Sequence, residues 1–272
     1  MDKQVEIVNY HPDYEESLAE MWNRSQEAWG GGTSVTTGDQ VRRDEENSDS
    51  LAVFLAVYDN QVVGYCSLSE YTEDEGALYI HLLNVRPDYH GKKIGKMLVL
   101  RAVEETVHRG WPRVDLYTWE SNMKAVPLYK RCGFFWEDRE DTTHFMNFIP
   151  QIINCEAILP YMADIDWYAD SSRTIEVVRD GHVENGFHTY TYTWNKNGRK
   201  LRVDIERRGR GSALSRQKII YCQPWLRMPN PYSARNIPFY IGSLTNPGPR
   251  LELSLRVNLT GTSHLTGNSP SK

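Results

Sequence analysis

The residues best suited to bind an anion lie in one short segment, HGKKIGK at residues 90–96. Its two glycines let a backbone approach a ligand closely, and its three lysines supply positive charge for phosphate. An apolar helical pattern follows at once, and the first N–H groups of a helix have no partner within that helix. The segment therefore predicts a phosphate site, with a solvated basic loop at a helix start as the alternative.

The elements around this segment alternate in the order strand, two helices, three strands, helix, strand, helix, two strands. Apolar patterns and turn signals predict these strands at 4–10, 51–58, 61–68, 77–85, 113–119, 134–140 and 143–149. Asp59 and Asn60, which tolerate positive φ, join two of the strands in a hairpin. The 90–96 segment then follows the fourth strand, at the kind of strand end where open α/β sheets bind ligands.

The composition bounds the class of protein. The chain has 272 residues, 40% hydrophobic and 25% charged, which is typical of a soluble globular protein. Its net charge of −5 argues against a dedicated nucleic-acid binder. The sequence has no membrane-length apolar run and no signal-peptide pattern, so we expect a cytoplasmic protein without a membrane partner. Four widely spaced cysteines predict buried, reduced thiols and no metal site. They are Cys66, Cys132, Cys155 and Cys222.

Two segments together resemble the GNAT acetyltransferase family. The first is VRPDYHGKKIGKMLV at 85–99, and the second is WESNMKAVPLYKRCGFF at 119–135. The second carries the family's spaced signature on Asn122, Ala125, Tyr129, Gly133 and Phe134. Two loop positions depart from the family pattern, since His90 replaces an Arg or Gln and Lys93 replaces a Gly. A side chain at Lys93 is tolerated there only if the backbone needs no positive φ.

The resemblance implies both a fold and a reaction. Residues 1–150 would form an α/β domain with a mixed central sheet flanked by helices. The domain would pass an acetyl group from acetyl-CoA directly to a primary amine of a small molecule or peptide. The pantetheine arm would pair with the fourth strand, and the pyrophosphate would lie on the amides of the basic loop. The cofactor-binding residues implied are Leu83, Val85, His90, Gly91, Lys92, Lys93, Ile94, Gly95, Lys96 and Asn122.

Two residues are the candidates for catalysis. Tyr129 matches the family tyrosine that hydrogen-bonds the departing sulfur, and a phenol is a suitable proton donor to a thiolate. Its alternative role is that of an apolar helix residue that happens to be aromatic. His81 is the preferred general base, because it lies in the central strand and histidine is the residue type suited to acid–base chemistry near neutral pH. Glu70, Glu120 and His144 are further candidates for the base, and a structural His81 with a water relay is the alternative.

The acceptor side is assigned to the segment EAWGGGTSV at 27–35. The resemblance implies that this connection borders the amine-binding cleft. Three glycines, Gly31 among them, lower the cost of large backbone movements, so the loop is expected to close over substrate. Trp29 would supply an apolar plate for the acceptor or rest over a cation. Packing of Trp29 against the core is the alternative.

The second half of the chain predicts a different architecture. Residues 151–260 are expected to form a small all-β, sandwich-like accessory domain, followed by a disordered tail at 261–272. The predicted strands are at 174–178, 187–194, 200–206, 218–222, 237–242 and 250–257, with a hairpin turn at 195–198. One strand places His188, Tyr190, Tyr192 and Trp194 on one face. That face is either a ligand-binding strip or the inner face of the sandwich.

Two functions from different classes remain open from sequence. One is an active N-acetyltransferase. The other is a non-catalytic acyl-CoA-binding module whose β domain binds a partner. A homodimer is left open as the assembly, and neither nucleic acid nor a membrane is expected as a partner.

Overall fold

The computed structural model describes most of the first half of the chain and part of the second. The described residues are 4–26, 34–72, 76–119, 122–137, 143–156, 158–184, 187–197, 199–207, 218–222 and 255–257. The helices are α1 (Glu15–Asn23), α2 (Gly38–Glu46), α3 (Ile94–His108), α4 (Val126–Arg131), α5 (Ile149–Ile153) and α6 (Leu159–Met162). The strands of the first half are β1 (Glu6–Asn9), β2 (Ala52–Tyr58), β3 (Gln61–Glu70), β4 (Ala77–Val85), β5 (Arg113–Thr118), β6 (Phe135–Trp136) and β7 (Thr143–Asn147). Those of the second half are β8 (His182–Glu184), β9 (Phe187–Lys196), β10 (Arg199–Arg207), β11 (Lys218–Cys222) and β12 (Leu255–Val257).

Strands β1 to β7 form one mixed sheet in the order β1-β2-β3-β4-β5-β7-β6. Strands β4 and β5 run parallel, and the other neighbours in this sheet run antiparallel. The predicted hairpin is confirmed, with φ of 52° at Asp59 and 59° at Asn60. The predicted order of elements is confirmed through β7, although α4 is shorter than the helix expected at 121–133.

Helices cover both faces of this sheet. On one face, Leu18 of α1 joins Leu55 of β2 and Tyr65 of β3 in a buried cluster. Gly64 points to the opposite face, because successive strand residues alternate. A Cβ on Gly64 would lie 3.0 Å from Leu98 of α3, so α3 lies directly on the strand there. The predicted sheet flanked by helices is therefore confirmed.

The second compact unit comprises residues 160–174 and 181–272, and the first comprises 1–159 and 175–180. In the second unit the strands form a sheet in the order β12-β11-β10-β9-β8. The predicted hairpin is confirmed by the antiparallel pairing of β9 with β10. A sandwich is not confirmed, because the described part of this unit contains one sheet.

The aromatic strand β9 forms an interior face of that sheet. Tyr190, Tyr192 and Trp194 are at most 1% exposed. The paired positions of β10 add three buried aliphatic residues, Leu201, Val203 and Ile205. Burial of both rows favours the inner-face interpretation over a ligand-binding strip.

The strand predicted at 174–178 is wrong. These residues are described outside any strand, and Ile175–Asp180 belong to the first unit. Of the strand predicted at 250–257, Leu255–Val257 is described. The strand predicted at 237–242 and the tail at 261–272 lie outside the described residues.

Asp180 explains why that segment belongs to the first unit. Its carboxylate lies 3.0 Å from Nζ of Lys130, a lysine of α4 that is 1% exposed. Lys130 also donates to the carbonyl oxygen of Val178, at 2.6 Å. Asp180 further accepts from the backbone N–H of Trp136 and donates its own N–H to the Trp136 carbonyl, both at 2.8 Å. The segment is thus held by a buried charge and by the edge of β6.

In the described parts of the chain, no helix has both the length and the apolar character needed to cross a membrane. Three of the cysteines, Cys66, Cys132 and Cys155, are free and buried, as the sequence predicted. The domain boundary near Pro150 stays a prediction. Pro150 lies in the first turn of α5, and this helix packs against α3 and β5.

We predict that Asp180→Ala lowers the free energy of unfolding by about 3 kcal/mol, because it removes one carboxylate from the buried Lys130 ammonium. Urea denaturation of the full chain measures this loss, with the exposed Asp49→Ala as a matched control. The double variant Lys130→Met, Asp180→Ala should regain part of the lost stability. A single-variant loss no larger than that of the control would contradict this account.

Candidate active site

The central feature of the site is the point where β4 separates from β5. The parallel ladder joins Ala77–Ile80 to Arg113–Leu116 and ends there. At the same point the pairing of β4 with β3 shifts register, so that His81 is the extra residue of a β-bulge. Strand β4 then continues to Val85, while β5 continues to Thr118 paired with β7. A gap therefore opens between two neighbouring strands.

The backbone of β4 beyond the bulge faces this gap. The N–H of Arg86 donates to the Val63 carbonyl of β3, at 2.9 Å. Residues of an antiparallel strand alternate between hydrogen-bonded and non-hydrogen-bonded positions, so Leu83 and Val85 direct their N–H and C=O groups away from β3. These are the two residues expected from sequence to pair with a pantetheine arm. Their placement suits that role, and the role itself stays a prediction.

The basic loop ends at the start of α3. Lys93 is the N-cap residue, and no side chain of the described residues caps this helix end. The first N–H groups of Ile94, Gly95 and Lys96 are therefore oriented toward whatever lies before the helix. Lys93 has φ of 64°, in the left-handed region. The sequence predicts that a side chain at Lys93 is tolerated only if this position has no positive φ, and that condition is not met. The backbone turns at Lys93 so that α3 can begin immediately after the loop.

The other loop residues have specific partners. Gly91 has φ of 78°, which suits glycine. A Cβ on Gly95 would lie 3.4 Å from Leu128 of α4 and 3.7 Å from Val85, so α3 and α4 meet at the gap. The ammonium of Lys92 lies 4.2 Å from the ring centroid of Tyr89. His90 places Nε2 2.7 Å from the Val85 carbonyl oxygen.

Tyr129 lies on the β5 side of the gap. Its hydroxyl is hydrogen-bonded to the side chain of Thr118, the last residue of β5. Asn122 donates from Nδ2 to Thr118 Oγ1 at 2.9 Å, so Asn122, Thr118 and Tyr129 form one polar chain. Burial raises the pKa of Tyr129 to about 12. The helix-capping role considered for Asn122 is wrong, because Ala125 is the N-cap residue of α4.

His81 is exposed at the bulge. Its ring lies edge-on to that of Tyr79, with centroids 6.0 Å apart. The sequence predicted that Tyr79 and His81 share one face of the strand, and this ring contact agrees with that prediction. Glu70, another candidate for the base, is the exposed last residue of β3.

His144 is buried and bound through both ring nitrogens. Nδ1 lies 2.6 Å from a Glu137 oxygen, and Nε2 lies 3.0 Å from an Asp115 oxygen. Burial alone would lower the pKa of His144, but these two carboxylates outweigh it and raise the pKa. Arg113 forms two hydrogen bonds with Asp115, at 2.8 and 2.9 Å. Both ring nitrogens of His144 are therefore occupied by carboxylates, and neither is open to accept a proton from substrate.

The sequence interpretation missed Thr118 and the His144 array. Thr118 carries no motif signal. The signal that could have found Asp115 and Tyr117 is strand alternation, which puts residues two apart on one face of β5. Trp29, Gly31 and Glu120 lie outside the described residues, so their predicted roles stay predictions.

Residues 15–134 match the model of the Acetyltransferase (GNAT) family. We call this matched part of the chain the GNAT domain, after the family model that it resembles. The match supports acyl transfer as the class of reaction and acetyl-CoA as the cosubstrate, as the sequence predicted. It covers both the basic loop and the helix that carries Tyr129.

The GNAT domain is similar to several curated proteins over part of their length. Mycothiol acetyltransferase of Thermomonospora curvata is 32% identical over 95 residues, which are 35% of this chain and 31% of that protein. An uncharacterized N-acetyltransferase of Methanocaldococcus jannaschii is 28% identical over 116 residues, 41% of this chain and 48% of that protein. The chain thus spans less than half the length of these relatives.

Solved structures also resemble the GNAT domain. The PaiA N-acetyltransferase of Thermoplasma acidophilum, in complex with coenzyme A, is 23% identical with a TM-score of 0.43. The similarity covers 53% of this chain and 99% of that one.

We predict that Lys93→Gly keeps or slightly raises the free energy of unfolding, because a side chain in the left-handed region costs about 1 kcal/mol. Lys93→Asn should be nearly neutral, whereas the β-branched Lys93→Val should be the least stable of the three. Chemical denaturation ranks the variants. Equal stability of the Val and Gly variants would show that the turn does not require positive φ.

We also predict that the free energy of unfolding depends on pH through the ionisation of His144. Its pKa is raised in the folded state, so its stabilising contribution is complete below the unfolded pKa of about 6.5 and is lost as pH rises through the folded pKa. Denaturation curves from about pH 6 to about pH 9 should therefore show a steeper loss of stability for the wild type than for His144→Gln. The exposed His108→Gln serves as the control and should keep the wild-type slope. Identical slopes in all three proteins would contradict the assignment.

Proposed function

We propose that the GNAT domain transfers the acetyl group of acetyl-CoA directly to a primary amine of a small molecule or a peptide. One observation carries the proposal, namely the convergence of three features at a single gap. The free backbone edge of β4 faces the gap, the uncapped start of α3 adjoins it, and the polar chain of Tyr129 ends on its other side.

The chain's own groups can orient the cosubstrate without any rearrangement of the sheet. Leu83 and Val85 would bind the pantetheine amides as an added strand binds a sheet edge. The N–H groups at the start of α3, with Lys92, Lys93 and Lys96 beside them, would hold the pyrophosphate. Val85 must first exchange the contact that its carbonyl makes with His90. When bound, acetyl-CoA supplies an activated thioester carbonyl and a thiolate leaving group.

Tyr129 would stabilise the departing sulfur by donating a hydrogen bond. The pKa of Tyr129 is about 12, and that of an ordinary thiol is about 8.5. Complete proton transfer from Tyr129 to the thiolate would therefore cost about 5 kcal/mol. Donation without transfer avoids this cost, and it acts where negative charge develops during the reaction. Thr118 and Asn122 orient the Tyr129 hydroxyl for this purpose.

Removal of the amine proton would fall to His81, directly or through water. His81 is exposed at the bulge, beside the point where the thioester is expected. His144 is set aside as the base because both of its ring nitrogens already contact carboxylates. Trp29 and Gly31 are kept as acceptor-side residues of the proposal. A cytoplasmic location is proposed with it, because buried free thiols suit a reducing compartment. A homodimer stays open as the assembly.

Release of free thiol from acetyl-CoA across a panel of primary amines tests the proposal. Tyr129→Phe should lower kcat about tenfold or more, because one hydrogen bond to a developing charge contributes about 1.5–3 kcal/mol. The KM for acetyl-CoA should change little, and Tyr14→Phe should behave as the wild type.

Two results would contradict this assignment. Undiminished turnover by Tyr129→Phe would remove this residue from the mechanism. Binding of acetyl-CoA without turnover of any amine in the panel would favour the non-catalytic acyl-CoA-binding module instead.

A further inference from the structure

Three tyrosines meet on one face of the sheet where β4 and β5 separate. Tyr71 follows β3, Tyr79 lies on β4 two residues before the bulge, and Tyr117 lies on β5 directly after the last paired residue. The ring centroids of Tyr79 and Tyr117 are 5.9 Å apart, and those of Tyr71 and Tyr79 are 5.4 Å apart. We call these three residues the tyrosine cluster. Its rings flank the gap from both strands.

A hydrogen bond and a ring stack fix the geometry of the cluster. The hydroxyl oxygens of Tyr71 and Tyr117 are 2.5 Å apart, so one donates to the other. The ring of Tyr117 stacks on that of His144, with centroids 4.6 Å apart and an interplanar angle of 17°. His144 is itself held by two carboxylates. The ring of Tyr117 is therefore oriented by the contacts of the ion array and not by its own rotamer preference alone.

The two carboxylates next to the cluster already have buried partners. Asp115 is bound by Arg113 and His144, and Glu137 is bound by His144. Each carboxylate would have to give up a buried partner to meet a second cation, and the loss of such a partner is strongly destabilising. Neither Asp115 nor Glu137 is therefore available to an amine at the gap, and among these residues the aromatic rings are what it would contact. Tyr79 and Tyr117 are partly exposed, and both present surface to such a molecule.

We propose that the tyrosine cluster is the acceptor-binding site and that its ligand is a primary amine with an apolar body, an alkyl or arylalkyl amine. This inference rests on the proposed function and names the substrate class of that site. Ring faces attract an ammonium group by roughly 0.5–2 kcal/mol and pack against hydrocarbon as well. They offer little to the hydroxyl groups of an amino sugar or to the second and third charges of a polyamine.

Selectivity among amines provides the first test. Thiol release from acetyl-CoA is measured with 2-phenylethylamine, hexylamine, glucosamine and spermidine, using the full chain. The kcat/KM for the first two amines should exceed that for the last two by about tenfold or more, which corresponds to about 1.4 kcal/mol. A preference for glucosamine or spermidine would overturn the proposal.

Variants of the cluster provide the second test. Tyr79→Leu and Tyr117→Leu should each raise the KM for 2-phenylethylamine about tenfold while leaving the KM for acetyl-CoA nearly unchanged. Tyr79→Phe keeps the ring and should stay within about twofold of the wild type. Tyr161→Leu, outside the first unit, is the matched control for loss of a ring. Circular dichroism and the unchanged KM for acetyl-CoA exclude misfolding as the cause.

Failure of the acceptor site can be distinguished from failure of the transfer reaction. If no amine is acetylated, calorimetric titration with 2-phenylethylamine in the presence of coenzyme A decides the matter. Binding that is lost in Tyr79→Leu supports the site although the proposed transfer fails. Absence of binding to the wild type, or equal binding to Tyr79→Leu and wild type, overturns the acceptor site whatever the fate of the transfer reaction.

Discussion

The separation of β4 from β5 is the constraint on which the rest of the site depends. Backbone N–H and C=O groups within a sheet normally bind a neighbouring strand, and leaving them unpaired away from water is costly. The bulge at His81 turns β4 away from β5, and the edge at Leu83 and Val85 is left facing a gap. A ligand that carries amides can satisfy this edge. The basic start of α3 and the Tyr129 hydroxyl are useful because they adjoin the same gap.

Buried charge joins β5 to β7 beside the point where the gap begins. Arg113, Asp115, His144 and Glu137 form one buried array of ionisable groups on β5, β7 and the residue that follows β6. Such an array adds little net stability over an apolar core, but removal of one member is strongly destabilising. The array instead fixes the position of a neighbouring side chain, because His144 stacks on the ring of Tyr117 where the gap begins. Asp180 has a comparable effect on α4 through Lys130.

Local patterns in the sequence predicted the elements that depend on neighbouring residues. The Asp59-Asn60 turn, the order of strands and helices through β7, and the position of the 90–96 loop all follow from periodicity and turn chemistry. Long-range features did not follow. The pairing of His144 with Asp115 spans strands distant in sequence, and Lys93 adopts positive φ because its position in the turn overrides the preference of its side chain. The strand expected at 174–178 was wrong because a charge contact by Asp180 anchors this segment, which no periodic pattern reveals.

Amide hydrogen exchange of Leu83 and Val85, measured residue by residue by NMR with and without coenzyme A, tests the central claim most directly. Their N–H groups point away from β3 into the gap, so the account predicts faster exchange in the free chain than at Asn84, which faces β3. Bound coenzyme A should slow exchange at one or both of these positions, while the amide of Val57 on the distant β2 stays unchanged. Unaltered exchange at both positions, under conditions where calorimetry shows coenzyme A to be bound, would contradict the assignment of the β4 edge as the cosubstrate site.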